Sequence, residues 1–190
     1  RQRTAGQEIQ LVEALAEKLP FAYGSFDFVC CYWVLEHVAE PEPILREMNR
    51  VLKPGGWVCA SEVHNPSLYF FPICPFASEF WRAYNQLQSD LGGNPEIGVQ
   101  LPYLAARQGW KIQQFRTFAP CLYGDILDHQ RRGEIVQFWI DLLGSALDQL
   151  KEHGREFPPF AAVEQELKAL IVEPRAVIDY QARQLLAQKP

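Results

Sequence analysis

No C-x-x-C pair occurs in this chain, and its five cysteines are odd in number, which excludes a closed disulfide framework and a thiolate zinc site. No metal is expected. No run approaches the roughly 18 apolar residues of a membrane span, and no secretory leader is visible. A reducing cytoplasm and no membrane contact are the expectation. Basic clustering is equally scarce, because Arg131-Arg132 is the only adjacent basic pair in a chain of net charge −5. A nucleic-acid partner is excluded on that balance, and the pair reads as solvated surface. None of the twelve glycines forms G-x-G-x-x-G, so the close backbone approach that a nucleotide-binding glycine loop provides is not encoded here. No tyrosine has a lysine four residues on, which removes the familiar nicotinamide reductase pair.

What the chain does have is a core. A hydrophobic fraction of 48% with 13% aromatics over 190 residues is that of a globular protein, and the length suits one domain spanning 1–190. Phe26 to Tyr32 is almost continuously apolar, the pattern of a parallel strand covered on both faces and therefore central in a sheet. Pro41 suits a first helical turn, and Ile44, Leu45, Met48, Val51 and Leu52 form one apolar helical face. Lys53-Pro54-Gly55-Gly56 should stop that helix, after which Trp57 to Val63 resumes a strand. Strand, helix, strand is a βαβ unit, which places ligand chemistry beyond the carboxyl ends of its strands, near Cys31 to His37 and Ser61 to His64.

The phrase LPFAYGSFDFVCCYWVLEHVAEPEPILREMNRVLKPGGWVCASE resembles the central segment of class I S-adenosylmethionine-dependent methyltransferases of the small-molecule, type 11-like branch. The likeness is close from Leu11 to Glu62 and looser beyond. It implies an α/β fold, a Rossmann-like methyltransferase sheet incomplete at the N-terminus, with an added C-terminal helical pair. It also implies S-adenosylmethionine as cofactor and a small-molecule acceptor. By motif order Phe26 to Tyr32 matches the fourth strand of a 3-2-1-4-5 sheet, and a short strand at Ile9 to Val12 the third. The first strand, its glycine loop and the ribose-holding acid belong to sequence that would precede Arg1. A complementing N-terminal segment, a partner polypeptide or a second copy of the chain in a homodimer is expected to cover that edge, and the chain alone is not expected to bind the cofactor productively.

Position by position, the resemblance lays Leu15, Ala16, Glu17 and Phe21 on the family's adenine-side phrase, with Leu15 where an aspartate is usual. Cys31 and Tyr32 match the strand end that meets the methionine part of the cofactor. Trp33 and His37 match positions facing the acceptor, and His37 is the candidate base. Tyr32 and Trp33 also read as core aromatics, and His37 as a residue packing a turn; Cys30 and Cys31 read as core.

Past Glu62 the chain changes character. Val63 to Phe76 is proline-broken and aromatic, neither helix nor strand, and Tyr69 to Phe76 is expected to wall an acceptor pocket. Helices are expected over Ser78 to Leu91, Val99 to Gly109, Glu134 to Glu152 and Phe160 to Val172, with a strand at Lys111 to Phe118. The last two helices form either a cap over the pocket or a dimer surface. Ile178 to Ala187 is expected to be an antiparallel strand beside Lys111 to Phe118, on the strength of the resemblance. The segments divide as 1–62 cofactor-side core, 63–125 acceptor side, 126–174 helical addition and 175–190 terminal strand. A small-molecule methyltransferase is the leading reading, and a non-catalytic or split subunit the alternative.

Overall fold

The apolar run Phe26–Tyr32 forms strand β1 in the computed structural model of the chain, which describes residues 9–118, 121–123 and 128–190. Helix α1, Glu42–Val51, follows behind Pro41 and buries Ile44, Leu45, Met48 and Val51. Strand β2, Leu52–Glu62, then pairs parallel to β1. Lys53 to Gly56 is a bulge inside β2 rather than a loop ahead of it: the register jumps from Phe26↔Leu52 to Phe28↔Trp57, and Gly55 takes φ +76° to make the offset. Beyond β2 come β3 (Tyr69–Phe71), α2 (Pro75–Asp90), α3 (Ile97–Arg107) and β4 (Lys111–Phe118), then α4 (His129–Gly144), α5 (Leu147–Glu152), α6 (Phe160–Ala169), β5 (Val177–Asp179) and β6 (Ala182–Gln188).

The main sheet has the order β1-β2-β6-β4, with β6 antiparallel to both neighbours. The terminal strand therefore lies beside β4 as expected, but in two pieces. Its first part, β5, leaves the sheet to pair with β3, so the aromatic segment expected to be irregular contains a short strand. Helices α1 and α3 cover one sheet face, where Leu45, Met48, Val58, Leu101, Leu104 and Leu185 share a core. A second core gathers Phe80, Trp139, Leu143, Leu167 and Ile178 among α2, α4, α6 and the β3–β5 ribbon.

Five expectations need correction. β1 is an edge strand among the described residues, and Phe28 is 52% exposed; its sequence is that of a doubly covered strand, but among the described residues its Val29 and Cys31 pack against the α1–α3 core while Phe28 stays open. Cys30 is accordingly exposed rather than packed in a core. Ile9 to Val12 forms no strand, since no described strand lies where it could pair. The long helix from Glu134 to Glu152 is broken at Ser145, whose Oγ donates back to the Leu142 carbonyl, so the added pair is three helices. Arg132 is no surface residue either: it is buried and donates to the carbonyls of Leu170, Ile171 and Glu173, satisfying the C-terminal end of α6. A helix tail over Arg1 to Gly6, which Gly6 as a C-cap would suggest from the sequence, falls outside the described residues.

Candidate active site

At the end of β1 the chain turns sharply. Trp33 takes φ 53°, a left-handed conformation that a bulky residue adopts only when its surroundings enforce it, and its N–H donates to the Ser61 carbonyl at 2.9 Å. The chain then enters a single 3₁₀ turn, Leu35–His37. Glu62, fully buried at the end of β2, holds that turn by accepting from the amides of Val34 at 3.2 Å and Leu35 at 3.1 Å. Burial pushes the Glu62 carboxyl up to about 7, while the two amides pull the other way. Its second oxygen has no partner among the described residues.

The turn sets Trp33, Glu36 and His37 on the wall of a cavity of about 540 Å³ at the carboxyl ends of β1 and β2. Helix α2 contributes Trp81 and Tyr84, α4 contributes Phe138 and Trp139, and Tyr180 closes it from the β5–β6 connection. The helical addition thus caps the cavity. Behind the aromatic faces runs a chain of hydrogen bonds. The Tyr180 hydroxyl donates to Asn65 Oδ1 at 2.8 Å, Asn65 Nδ2 donates to Gln88 Oε1 at 3.2 Å, and Gln88 Nε2 donates to Glu36 Oε2 at 2.7 Å. Trp81 Nε1 secures the Asn65 carbonyl at 2.7 Å. Asn65 and Gln88 are each bonded on both sides along this series, which fixes the geometry of the last group, Glu36.

Glu36 is 6% exposed, and burial raises its carboxyl against the opposing pull of Gln88 and His37. His37 Nε2 lies 3.6 Å from Glu36 Oε1 while the imidazole remains open to solvent. A buried carboxylate beside an accessible imidazole can hold a charged group or pass a proton. No lysine or arginine lines the cavity among the described residues.

Of the residues singled out from sequence, Tyr32, Trp33 and His37 come together here. Cys31 points to the other face, among the α1–α3 core, with its Sγ 4.0 Å from Glu62 Oε1. Leu15, Ala16 and Glu17 sit on a turn closed by the Lys18 amide on the Leu15 carbonyl, with Leu15 72% exposed. Phe21 packs edge-on against Phe26 at 4.9 Å, the far end of β1 from Tyr32, about 20 Å away at strand rise. It is held there because Glu47 Oε1 on α1 accepts from the Leu19 amide at 2.7 Å. Tyr69 to Phe76 does not wall the cavity: Phe70 and Cys74 are buried in the helical core, and Tyr69, Phe71, Ile73 and Phe76 face solvent. The short β3–β5 pairing directs alternate side chains inward and outward and leaves none at the strand ends.

Sequence reasoning missed Glu36 as a cavity acid, and it missed Asn65, Gln88 and Tyr180 altogether. Trp81, Tyr84 and Gln88 recur at i, i+3 and i+7, a helical face that carries polar groups among aromatics, and that pattern was the available signal.

For the implied cofactor, the donor chemistry on this chain fits one side. The amides of Ala16 and Glu17 take no hydrogen bond among the described residues, and Leu15 offers an exposed apolar surface next to them, a combination suited to the edge and face of a purine.

Residues 1–60 match the methyltransferase domain family. Over 62 residues the chain is 42% identical to a ubiquinone biosynthesis O-methyltransferase of Pseudomonas aeruginosa, covering 32% of this chain and 25% of that one. Over 72 residues it is 46% identical to a demethylmenaquinone methyltransferase of Staphylococcus epidermidis, covering 37% and 30%. The chain thus spans well under half the length of these curated relatives. A Bacillus halodurans C-125 crystal structure assigned as a methyltransferase superposes with a TM-score of 0.53 at 17% identity, over 98% of this chain and 74% of that one. The fold is the Rossmann-like α/β fold of methyltransferases.

Proposed function

We propose that this chain carries the acceptor cavity and the adenine-side turn of an S-adenosylmethionine-dependent methyltransferase acting on a small molecule. The observation that carries the reading is the cavity at the carboxyl ends of β1 and β2, walled by Trp33, Glu36 and His37, on a chain whose first sixty residues match the methyltransferase domain. S-adenosylmethionine, when bound, supplies an electrophilic methyl group on sulfur. Leu15, Ala16 and Glu17 would take the adenine, and Tyr32 and Trp33 would border the reacting end. His37 Nε2 accepts the proton that the acceptor must lose, a step typically worth about 10²- to 10⁴-fold. Glu36 Oε1 lies 3.6 Å from that imidazole without bonding to it. The aromatic walls orient the acceptor and exclude water, which is most of what a protein contributes when the cofactor supplies the reactive group. The free thiols fit a cytoplasmic protein.

Calorimetry with S-adenosylmethionine on this chain and on the complete product of its reading frame, followed by a methyl-transfer assay, tests the reading. Uptake of the cofactor and transfer to a small acceptor support it. A complete gene product that takes up no cofactor leaves only the non-catalytic reading.

A further inference from the structure

We infer that the cavity is built for a compact organic cation, an amine carried on a small apolar or aromatic body, with Glu36 as its counter-charge. The inference deepens the acceptor reading above and rests on it.

Charge is the first argument. Glu36 is the one carboxylate among the described residues lining the cavity, and neither lysine nor arginine lines it. A phosphate or carboxylate ligand is normally met by such cations; here it would face Glu36 with only the solvent-open His37 imidazole to offset the repulsion. The field of Glu36 is felt inside, since it raises the Tyr84 hydroxyl after the larger effect of burial.

The second argument is the state of Glu36. Its Oε2 accepts from Gln88 at 2.7 Å, but Oε1 has only His37 Nε2 at 3.6 Å, beyond hydrogen-bond distance. The carboxylate is nonetheless fixed, because Gln88 is itself held by Asn65 and Asn65 by Tyr180. One oxygen of a buried, positioned carboxylate is therefore open. A neutral ligand would enclose that charge without compensation, whereas an ammonium N–H donates to it and compensates it.

The walls supply the third argument. Trp33, Trp81, Tyr84, Phe138, Trp139 and Tyr180 surround the cavity, and aromatic rings attract a cation most strongly where they are desolvated. The same rings accept the apolar body of the ligand. A cavity of about 540 Å³ suits a molecule of this kind.

Because Trp33, Trp81 and Trp139 line the cavity, tryptophan fluorescence reports binding directly, with calorimetry as the second readout and no turnover needed. The probes are 2-phenylethylamine, 2-phenylethanol and 3-phenylpropanoate, added to the full chain without cofactor. The amine is expected to bind about 10- to 30-fold more tightly than the alcohol, and the carboxylate more weakly than either. Glu36→Gln should erase the preference for the amine, weakening the amine and relieving the alcohol of an uncompensated buried charge; if that variant fails to fold, the wild-type series alone decides. Equal binding of amine and alcohol, tighter binding of the carboxylate, or no binding of any probe overturns the inference. The methyltransferase reading is judged separately by cofactor uptake and survives a preference for the alcohol.

Discussion

The Leu35 amide donates to the Glu62 carboxylate at 3.1 Å, which ties the turn bearing Glu36 and His37 to the end of β2. This bond reaches across 27 residues of sequence and joins the two strand ends that border the cavity. The acid that makes it is fully buried and its second oxygen is unpartnered, so the tie holds the site at a cost in ionisation.

That cost predicts a pH dependence. The Glu62 carboxyl rises from the ordinary 4.5 to about 7 on folding, so the folded chain holds the proton more tightly than the unfolded chain. Its contribution to stability is full below about 4.5 and is lost as pH rises through about 7. Glu36 shifts in the same direction and remains in the comparison variant. Glu62→Gln, which mimics the protonated acid, should flatten the fall in melting temperature between about pH 5 and 8, removing on the order of 3 kcal/mol of pH-dependent stability. Parallel wild-type and variant curves would refute the assignment.

Gln88→Leu should destabilise the chain by about 1–3 kcal/mol, since it leaves the Glu36 carboxylate and the Asn65 amide without their shared partner in a buried place. Urea unfolding checks the value. Asn65 keeps its bonds to Tyr180 and Trp81, so secondary structure should persist, and a cost near zero would mean that water replaces the amide.

Gly93, in the connection between α2 and α3, is a further constraint on the turn that bears Glu36. A Cβ there would lie 2.5 Å from the Glu36 carbonyl oxygen and 2.9 Å from Gln88 Cγ, so Gly93→Ala must displace backbone rather than a flexible side-chain tip. About 1–3 kcal/mol of stability should be lost, with a change in tryptophan fluorescence as Glu36 and its neighbours shift. By contrast, nothing lies within 4 Å of a Cβ at Gly133, inside α4, and alanine there should be neutral or slightly stabilising.

How much of this was legible in the sequence follows from range. β1, α1 and β4 were readable because their patterns are local: an unbroken apolar run, a 3.6-residue stripe, and a segment bounded by Gly109 and the chain beyond Phe118. The terminal strand was ambiguous locally and needed the resemblance, and even that did not show its split at Tyr180, where the side chain turns out of the strand pattern to reach Asn65. The placement of β1 at an edge was not readable from its composition, which reports the cover a strand is suited to and not the neighbours it has; the resemblance marked that edge by leaving the neighbouring strand out of this chain. The site divides in the same way. Trp33 and His37 were found by motif, whereas Asn65, Gln88 and Tyr180 matter only through contacts between segments 23 and 115 residues apart.

The roles assigned to Glu36 and His37 can be separated, although the two side chains lie 3.6 Å apart. Glu36 is buried and fixed by Gln88, the properties of a group that holds a ligand. His37 is open to solvent, the property of a group that exchanges a proton with water. His37→Gln, which keeps a polar side chain of similar reach, should leave 2-phenylethylamine binding within error and lower kcat for an amine acceptor by about 10²-fold or more. Glu36→Gln should instead weaken amine binding and raise KM, with a smaller effect on kcat. Fluorescence titration together with steady-state kinetics of the complete gene product distinguishes the two. Loss of amine binding in His37→Gln would place the counter-charge on the wrong residue, because an imidazole that exchanges protons has no reason to anchor a cation.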